Sequence, residues 1–238
     1  MKRGWEGLVV KAFGGRDFTL TVRAAEPVGD HYHRLHVDGG GLLEACGVHP
    51  TMWIRLWFTG ADGKPHQRAY TLVDPDAATG RFSLEFALHD GRAANWARAA
   101  TAGDTIEATV QGTGFALPDP APGHLYLVGD AASLPAINSI LDTAETIPAT
   151  AFLEYAHDGE RELPVRARPH HEIRWVPRER TGTRLVDTVT GAVPRADGAY
   201  YWLACEASSS RAIVRHLRRG LGVDRRQVSA LAYWSATR

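Results

Sequence analysis

Through its first half the chain alternates apolar and polar residues in short runs. Phe18 to Val22, His31 to Val37, Met52 to Phe58, Ala69 to Val73, Phe82 to Leu88 and Thr105 to Val110 all show the pattern. A period of two sends successive side chains to opposite faces, so each run predicts a strand with one buried and one wet side. Turn-forming clusters separate the runs: Gly39-Gly40-Gly41, Asp62-Gly63-Lys64-Pro65 and Asp74-Pro75-Asp76. Six strands at this spacing predict a closed antiparallel barrel, which leaves no exposed sheet edge. One short helix, Ala93 to Ala100, interrupts the strands.

The pattern changes at Leu117-Pro118-Asp119-Pro120-Ala121-Pro122-Gly123, where three prolines in seven residues make a stiff segment unable to join a ladder. Beyond it strands alternate with helices. Leu125 to Val128 is a continuous apolar run, suited to a strand buried on both faces. Helical spacing follows over Leu134 to Ala144, then strands over Thr150 to Tyr155 and Glu172 to Val176. A helix over Leu185 to Val193, a strand over Tyr200 to Ala204, a helix over Ser209 to Leu221 and a strand over Val228 to Trp234 complete the chain. Ser208, Ser209 and Ser210 are expected to cap that last helix. This half predicts a small parallel-sheet α/β domain, a fold that binds ligands beyond the carboxyl ends of its strands. The expected division is a barrel domain over 1–116, a linker over 117–123 and an α/β domain over 124–238.

Composition narrows the function. The 27 basic and 27 acidic residues cancel, so no global field draws the protein to nucleic acid or an anionic membrane, and any anion site must be local. The only lysines are Lys2, Lys11 and Lys64. That bias reads first as codon usage, though arginine is also the better bidentate donor to phosphate and carboxylate. Two cysteines, Cys46 and Cys205, are too few for a disulfide framework or a metal site of their own, and they fit a reducing compartment. Lys11, Gly14 and Gly15 interrupt any leader-like apolar region, and the longest apolar runs, such as Ala199 to Cys205, fall short of the roughly 18 residues that cross a bilayer. The expectation is a cytoplasmic protein with no membrane span and no nucleic-acid partner. His31-x-His33 offers two imidazoles on one strand face but no third ligand, so no metal is expected. Cys205 reads as a small packing residue. Arg215, Arg218 and Arg219 read as a wet helix face, with a basic patch for a protein electron donor as the alternative.

Four segments carry chemistry. Arg68-Ala69-Tyr70-Thr71 lies on the fourth strand, where Arg68 and Tyr70 share one face and Thr71 takes the other or sits at a kink. A flavin needs a cation for its phosphates, an aromatic face for its ring and a small donor near its reactive edge, and this tetrapeptide offers them in order. His89-Asp90-Gly91-Arg92-Ala93-Ala94-Asn95-Trp96-Ala97 is a turn opening the short helix, whose first amides form an anion site. Leu127-Val128-Gly129-Asp130-Ala131-Ala132-Ser133-Leu134-Pro135 runs from a buried strand through a glycine turn into a helix. It suits a nucleotide phosphate without the Gly-x-Gly-x-x-Gly fingerprint. Trp202-Leu203-Ala204-Cys205-Glu206-Ala207 is a later strand end leading into a helix.

In this order, on a barrel followed by a parallel sheet, the four segments resemble the siderophore-interacting branch of the ferredoxin–NADP reductase-like flavoproteins, over nearly the whole chain. That family shows Arg-x-Tyr-Thr, then a His before Gly-Pro-Ala and Trp-Ala, Gly-Asp-Glu-Thr-Ala-Leu-Pro-Ala-Ile, Trp-x-Ala-Gly-Glu and a Tyr-Trp-Arg ending. The resemblance implies an FAD-dependent reductase that passes electrons from NADPH or NADH to a ferric siderophore. Arg68, Tyr70 and Thr71 would hold the flavin phosphate, ring face and reactive edge. His89 would open the pyrophosphate turn, Gly91, Ala93 and Ala94 would offer it backbone, and Trp96 would pack beneath. Gly129, Asp130, Leu134 and Pro135 would shape the dinucleotide site, with Glu206 nearby. Arg55 stands where the family often places a lysine that meets the anionic siderophore; Trp234 and Arg238, at the chain's end, are the other substrate candidates.

The chain also departs from the pattern. Arg92 replaces the proline and adds a candidate phosphate contact, Ala131 and Ala132 replace Glu-Thr, Cys205 replaces glycine, and Ser235 replaces the final arginine. The departures fall mostly on the donor side. They keep open a ferredoxin-fed or general flavin reductase, and a siderophore-binding flavoprotein without turnover.

Overall fold

The computed structural model describes residues 15–59, 63–110, 115–179 and 182–236. The chain divides into two compact units after Phe115.

The first unit is built on six strands: β1 (Arg16–Gly29), β2 (Tyr32–Asp38), β3 (Trp53–Thr59), β4 (Pro65–Asp76), β5 (Arg81–Ala87) and β6 (Thr105–Val110). They close in the order β1-β2-β5-β4-β3-β6, with β1 pairing both β2 and β6. All neighbours are antiparallel. Alternation fills the interior with one face of each strand; Leu20, Leu35, Ile54, Leu56 and Leu84 are fully buried there. Two helices accompany the barrel, α1 (Leu42–Cys46) and α2 (Arg92–Ala99).

Several boundaries differ from the sequence reading, each for a local reason. β1 continues seven residues past Val22 because bulges at Val22/Ala24 and Pro27/Gly29 absorb the break in alternation. Asp74-Pro75-Asp76 is no turn: it closes β4 across another bulge, with Asp74 at φ 48°, and the chain reverses over the next residues instead. Helix α1, a single turn after Gly41, is too short to leave a periodic signal. His31 lies in the turn before β2 while His33 lies within it, so the two imidazoles do not share a strand.

The second unit carries five parallel strands: β7 (His124–Asp130), β8 (Ala149–Tyr155), β9 (His171–Pro177), β10 (Ala199–Glu206) and β11 (Val228–Trp234). Their order is β11-β10-β7-β8-β9. Helices α3 (Leu134–Thr143), α4 (Thr183–Ala192) and α5 (Ala207–Arg215) connect them, and α5 ends in a π turn over His216–Gly220. The order reverses between β7 and β10, the position at which open parallel sheets take ligands. The serines do not cap α5. Glu206 does, its carboxylate accepting the amides of Ser208 and Ser209 at 2.6 and 3.0 Å. Among the described residues no helix is long and apolar enough to cross a membrane.

Candidate functional site

On the barrel, the register between β3 and β4 settles which way each side chain leaves the strand. Arg68 pairs with Leu56 and Tyr70 with Ile54, so both stand in the row that faces the core. Thr71 pairs with Trp53 and Ala69 with Arg55 in the opposite, outer row. Tyr70 leans on Phe86, ring centroids 4.3 Å apart. Phe86 in turn lies 6.2 Å from Trp96 of α2, and Trp96 meets Phe58 of β3 edge-on at 5.8 Å. This aromatic chain ties the middle of α2 to the middle of β4. Burial raises the Tyr70 phenol's pKa, with the Arg68 charge opposing, so the ring stays neutral. Arg68 itself is exposed, donates to the Gln67 carbonyl at 2.8 Å, and meets no carboxylate among the described residues.

The start of α2 is left open. Its N-cap is Gly91, in extended conformation, with no side-chain hydrogen bond to the first turn. The helix's first backbone bond runs from the Asn95 amide to the Gly91 carbonyl at 2.8 Å. The Ala93 and Ala94 amides ahead of it meet no acceptor among the described residues, although both residues are buried. A Cβ at Gly91 would fall 2.4 Å from the His89 ring, so a larger residue there would push that exposed side chain aside. Arg98 fastens the turn to the helix through the His89 carbonyl and Asn95 Oδ1. Arg92 and His89 stand exposed beside the open amides. A cation, an aromatic face and unused amides at a helix start together suit an anionic, flat-ringed group such as a flavin with a pyrophosphate tail.

At the carboxyl ends of the parallel strands the corresponding turn is filled by its own side chains. Gly129 cannot carry a Cβ because Ser133 Oγ and Ile137 would lie 2.2 and 2.7 Å from it; the glycine lets α3 pack, and opens no space for a phosphate. The Asp130 carboxylate accepts the Ala132 and Ser133 amides at 3.0 and 3.3 Å, and Ser133 Oγ accepts the Asp130 amide at 2.9 Å. Leu134 and Pro135 are buried in the α3 packing face. The amides expected to converge on a phosphate are therefore already used.

Asp130 instead anchors a network that local sequence does not show. Its other oxygen accepts Trp234 Nε1 at 2.6 Å and faces Arg178 Nη2 at 3.6 Å. Arg178 donates through Nε to Glu154 at 2.7 Å and lies over the Trp234 ring, 4.9 Å from its centroid. The second Glu154 oxygen is buried without a donor. Burial pushes the Asp130 carboxyl up to about 6, helped by the Glu154 charge and opposed by Trp234, Arg178 and the Ala132 amide. Burial also works against the charged Glu206, yet its bonds from Ser208, Ser209 and Ala236 win and hold its pKa below the usual range. The Cys205 thiol, buried and ringed by the charges of Asp130, Glu154 and Glu206, is pushed far up and is inert as a thiolate.

Comparison with known proteins identifies the family. The family model for the siderophore-interacting FAD-binding domain matches residues 19–112, and that for the siderophore-interacting protein matches residues 122–237. The chain belongs to the siderophore-interacting proteins. Among solved members, the siderophore-interacting protein SipS from Aeromonas hydrophila superposes with a TM-score of 0.77 at 23% identity, covering 94% of this chain and 93% of that one. A siderophore utilization protein from T. fusca gives 0.78 at 24% identity, covering 93% of both chains. A ferredoxin NADP+ reductase from Neisseria gonorrhoeae with bound FAD and NADP shares the fold, with a TM-score of 0.70 at 15% identity over 92% of this chain and 99% of its own. The Mycobactin import ATP-binding/permease protein IrtA of Mycolicibacterium smegmatis is 33% identical over the whole of this chain. That of Mycobacterium tuberculosis is 32% identical. The chain spans 28% of the length of these two relatives. Of the expected cofactors, FAD is the one the matched domain model names, and the Neisseria reductase of the same fold holds FAD and NADP.

Of the residues expected to meet a siderophore, Arg55 stands half-buried on β3 with its guanidinium 4.9 Å from the centre of the Trp53 ring, and burial lowers its pKa from the ordinary arginine value. Trp234 is committed to Asp130 and Arg178. Arg238 lies outside the described residues. Sequence reading missed Phe86, Glu154 and Arg178. The last two sit at the carboxyl ends of β8 and β9, so listing charged residues at strand exits would have found them.

Proposed function

We propose that this siderophore-interacting protein is an FAD-dependent reductase that passes electrons from NAD(P)H to the iron of a ferric siderophore. Supporting it most is that one barrel carries the open start of α2, the exposed Arg68 and the Tyr70–Phe86–Trp96 stack. In this reading the barrel domain, 1–116, holds the flavin, 117–123 is the linker, and 124–238 receives the dinucleotide. Arg68 pairs with a flavin phosphate, Tyr70 offers its ring face, and Thr71 borders the reactive edge from the outer row. The Ala93 and Ala94 amides take the pyrophosphate at the position Gly91 and His89 shape, with Arg92 adding charge and Trp96 supporting the helix from below. On the donor side, Gly129, Asp130, Leu134, Pro135 and Glu206 act through the shape of the strand ends, since their polar groups are internally bonded. Arg55 attracts the anionic chelate.

When bound, FAD supplies the exchange between a two-electron donor and a one-electron acceptor. The balance is one NAD(P)H and two Fe(III) giving NAD(P)+, one proton and two Fe(II). Hard oxygen ligands hold Fe(III) far better than Fe(II), so reduction releases the metal. A cytoplasmic location goes with a nucleotide donor.

A second reading has one specific observation behind it. The Ala132 and Ser133 amides, in the turn ahead of α3, are consumed by Asp130, which favours ferredoxin over a dinucleotide as the electron source. The experiment is anaerobic. Purified protein should be yellow, release FAD and not FMN, and bleach on addition of NADPH or NADH; with ferric siderophore present, a ferrous-specific dye should then develop colour. Bleaching by reduced ferredoxin alone would favour the second reading. A colourless protein that ignores added FAD would end both.

A further inference from the structure

Cross-strand pairing sets Trp53 directly opposite Thr71 and Arg55 directly opposite Ala69, all in the outer row of the barrel. Directly paired residues on one face of an antiparallel ladder hold their Cβ atoms about 5 Å apart. Trp53 therefore adjoins the threonine assigned above to the flavin's reactive edge. Its side chain is only partly buried. The Arg55 guanidinium lies over one face of the indole, and a cation in that position is held in place by the ring's electrons. Ala69, exposed and small, puts nothing bulky on β4 beside the pair. The result is a large flat ring and an oriented positive charge, side by side, at the border of Thr71.

We infer that Trp53 selects ferric chelates bearing aryl groups by stacking on them beside the flavin edge, while Arg55 supplies attraction for chelate charge. The inference rests on the reductase reading for the position of the flavin edge. It adds a substrate class, since ferric chelates divide into those whose ligands carry aromatic rings and those built on aliphatic chains. A tryptophan that merely covers the barrel wall would not distinguish the two.

The test separates ring from charge and binding from turnover. Gallium(III) takes the same ligands as Fe(III) and is not reduced. Gallium tris(benzohydroxamate) and gallium tris(acetohydroxamate) are both neutral and differ in a phenyl against a methyl group. Calorimetric titration of the FAD-loaded protein with each is compared for wild type, Trp53→Leu and Trp53→Phe. Wild type should prefer the phenyl complex about tenfold, the scale of one ring stacking on another, and Trp53→Leu should lose that preference while binding of the methyl complex stays within about twofold. Trp53→Phe should keep most of the preference. Equal binding of both complexes by wild type, binding of neither, or a preference that survives Trp53→Leu overturns the inference. Loss of FAD from Trp53→Leu also overturns it, by making Trp53 a flavin-holding residue. The expected preference together with no Fe(III) reduction by NADH or NADPH would leave the inference standing and remove the reductase reading.

Discussion

Helices α2, α3 and α5 each follow a strand, and the chain treats the amides at their starts differently. Helix α2 on the barrel begins at a glycine, which has no side chain to offer its first turn, and among the described residues the Ala93 and Ala94 amides meet no acceptor beside the exposed Arg92. On the parallel sheet, Asp130 occupies the amides of the turn that leads into α3, and Glu206 occupies the first amides of α5. All three carry the same partial positive charge at their starts. What separates an anion seat from a closed turn is whether a carboxylate of the chain has already taken the place. The difference extends to the arginines: among the described residues Arg68 meets no carboxylate, whereas Arg178 is held between two.

The largest effects should come from the open seat. In the proposed flavin site, Arg68→Ala should cost a charge-assisted phosphate contact of about 1.5–3 kcal/mol, and Tyr70→Ala a stacking face of about 1–3 kcal/mol. Each variant should fold and lose FAD on dilution, and the double variant should elute from a desalting column colourless. Stoichiometric flavin in both single variants after that column would break the comparison at its stronger end.

The closed turn should announce itself through pH. Asp130 has a folded pKa of about 6 against an ordinary 3.8, so the native state keeps a proton that the unfolded chain has lost. The stability from that proton is fully present below about pH 4 and is lost as pH rises through about 6, a total of about 3 kcal/mol for a two-unit shift. Asp130→Asn cannot titrate, and every other carboxylate is common to both proteins. The stability of the variant relative to wild type should therefore climb between pH 4 and 6 in urea unfolding followed by tryptophan emission. A flat difference would mean that Trp234 and Arg178 keep Asp130 ionised and that the turn is held by charge.

The barrel and the sheet were both readable in the sequence, because alternation and the apolar run of β7 are local signals that burial enforces. The placement of Arg68, Tyr70 and Thr71 was readable for the same reason: they are neighbours on one strand, and their faces follow from a period of two. The network at the sheet was not. Asp130, Glu154, Arg178 and Trp234 come from four strand ends as far as 104 residues apart in sequence, and only the strand order β11-β10-β7-β8-β9 brings them together. The serine cap failed through a competition that composition hides. A glutamate already at the strand exit outbids the hydroxyls as acceptor, and Ser208 becomes a donor to it.

That cap gives a smaller test. Glu206→Ala should destabilise the protein by about 1 kcal/mol, the usual worth of an N-cap, while leaving FAD content unchanged. If chemical denaturation instead shows no loss and the KM for NAD(P)H rises, Glu206 serves the donor and the contrast between open and closed helix starts narrows to α3 alone.

The smallest expected effect concerns Arg55, and it sharpens the comparison on the barrel side by asking whether a second arginine there faces outward for a ligand. Arg55 lies in the outer row, away from Arg68, so its removal should leave the flavin in place. A ferric siderophore with net negative charge gains about 1 kcal/mol from a unit charge at roughly 4 Å in water. Arg55→Ala should accordingly raise the apparent KM for an anionic ferric chelate about fivefold at low salt, and the gap should close as salt shortens the screening length. A neutral ferric hydroxamate has little attraction to lose and should be reduced almost as before. Initial rates with a ferrous-specific dye, for both chelates at low and high salt, measure this. Equal losses for the two would make Arg55 a support for the Trp53 ring it covers, since removing the guanidinium would then disturb a surface both substrates use. Unchanged rates for both would move chelate binding away from the outer row of β3, and with it the selectivity assigned to Trp53.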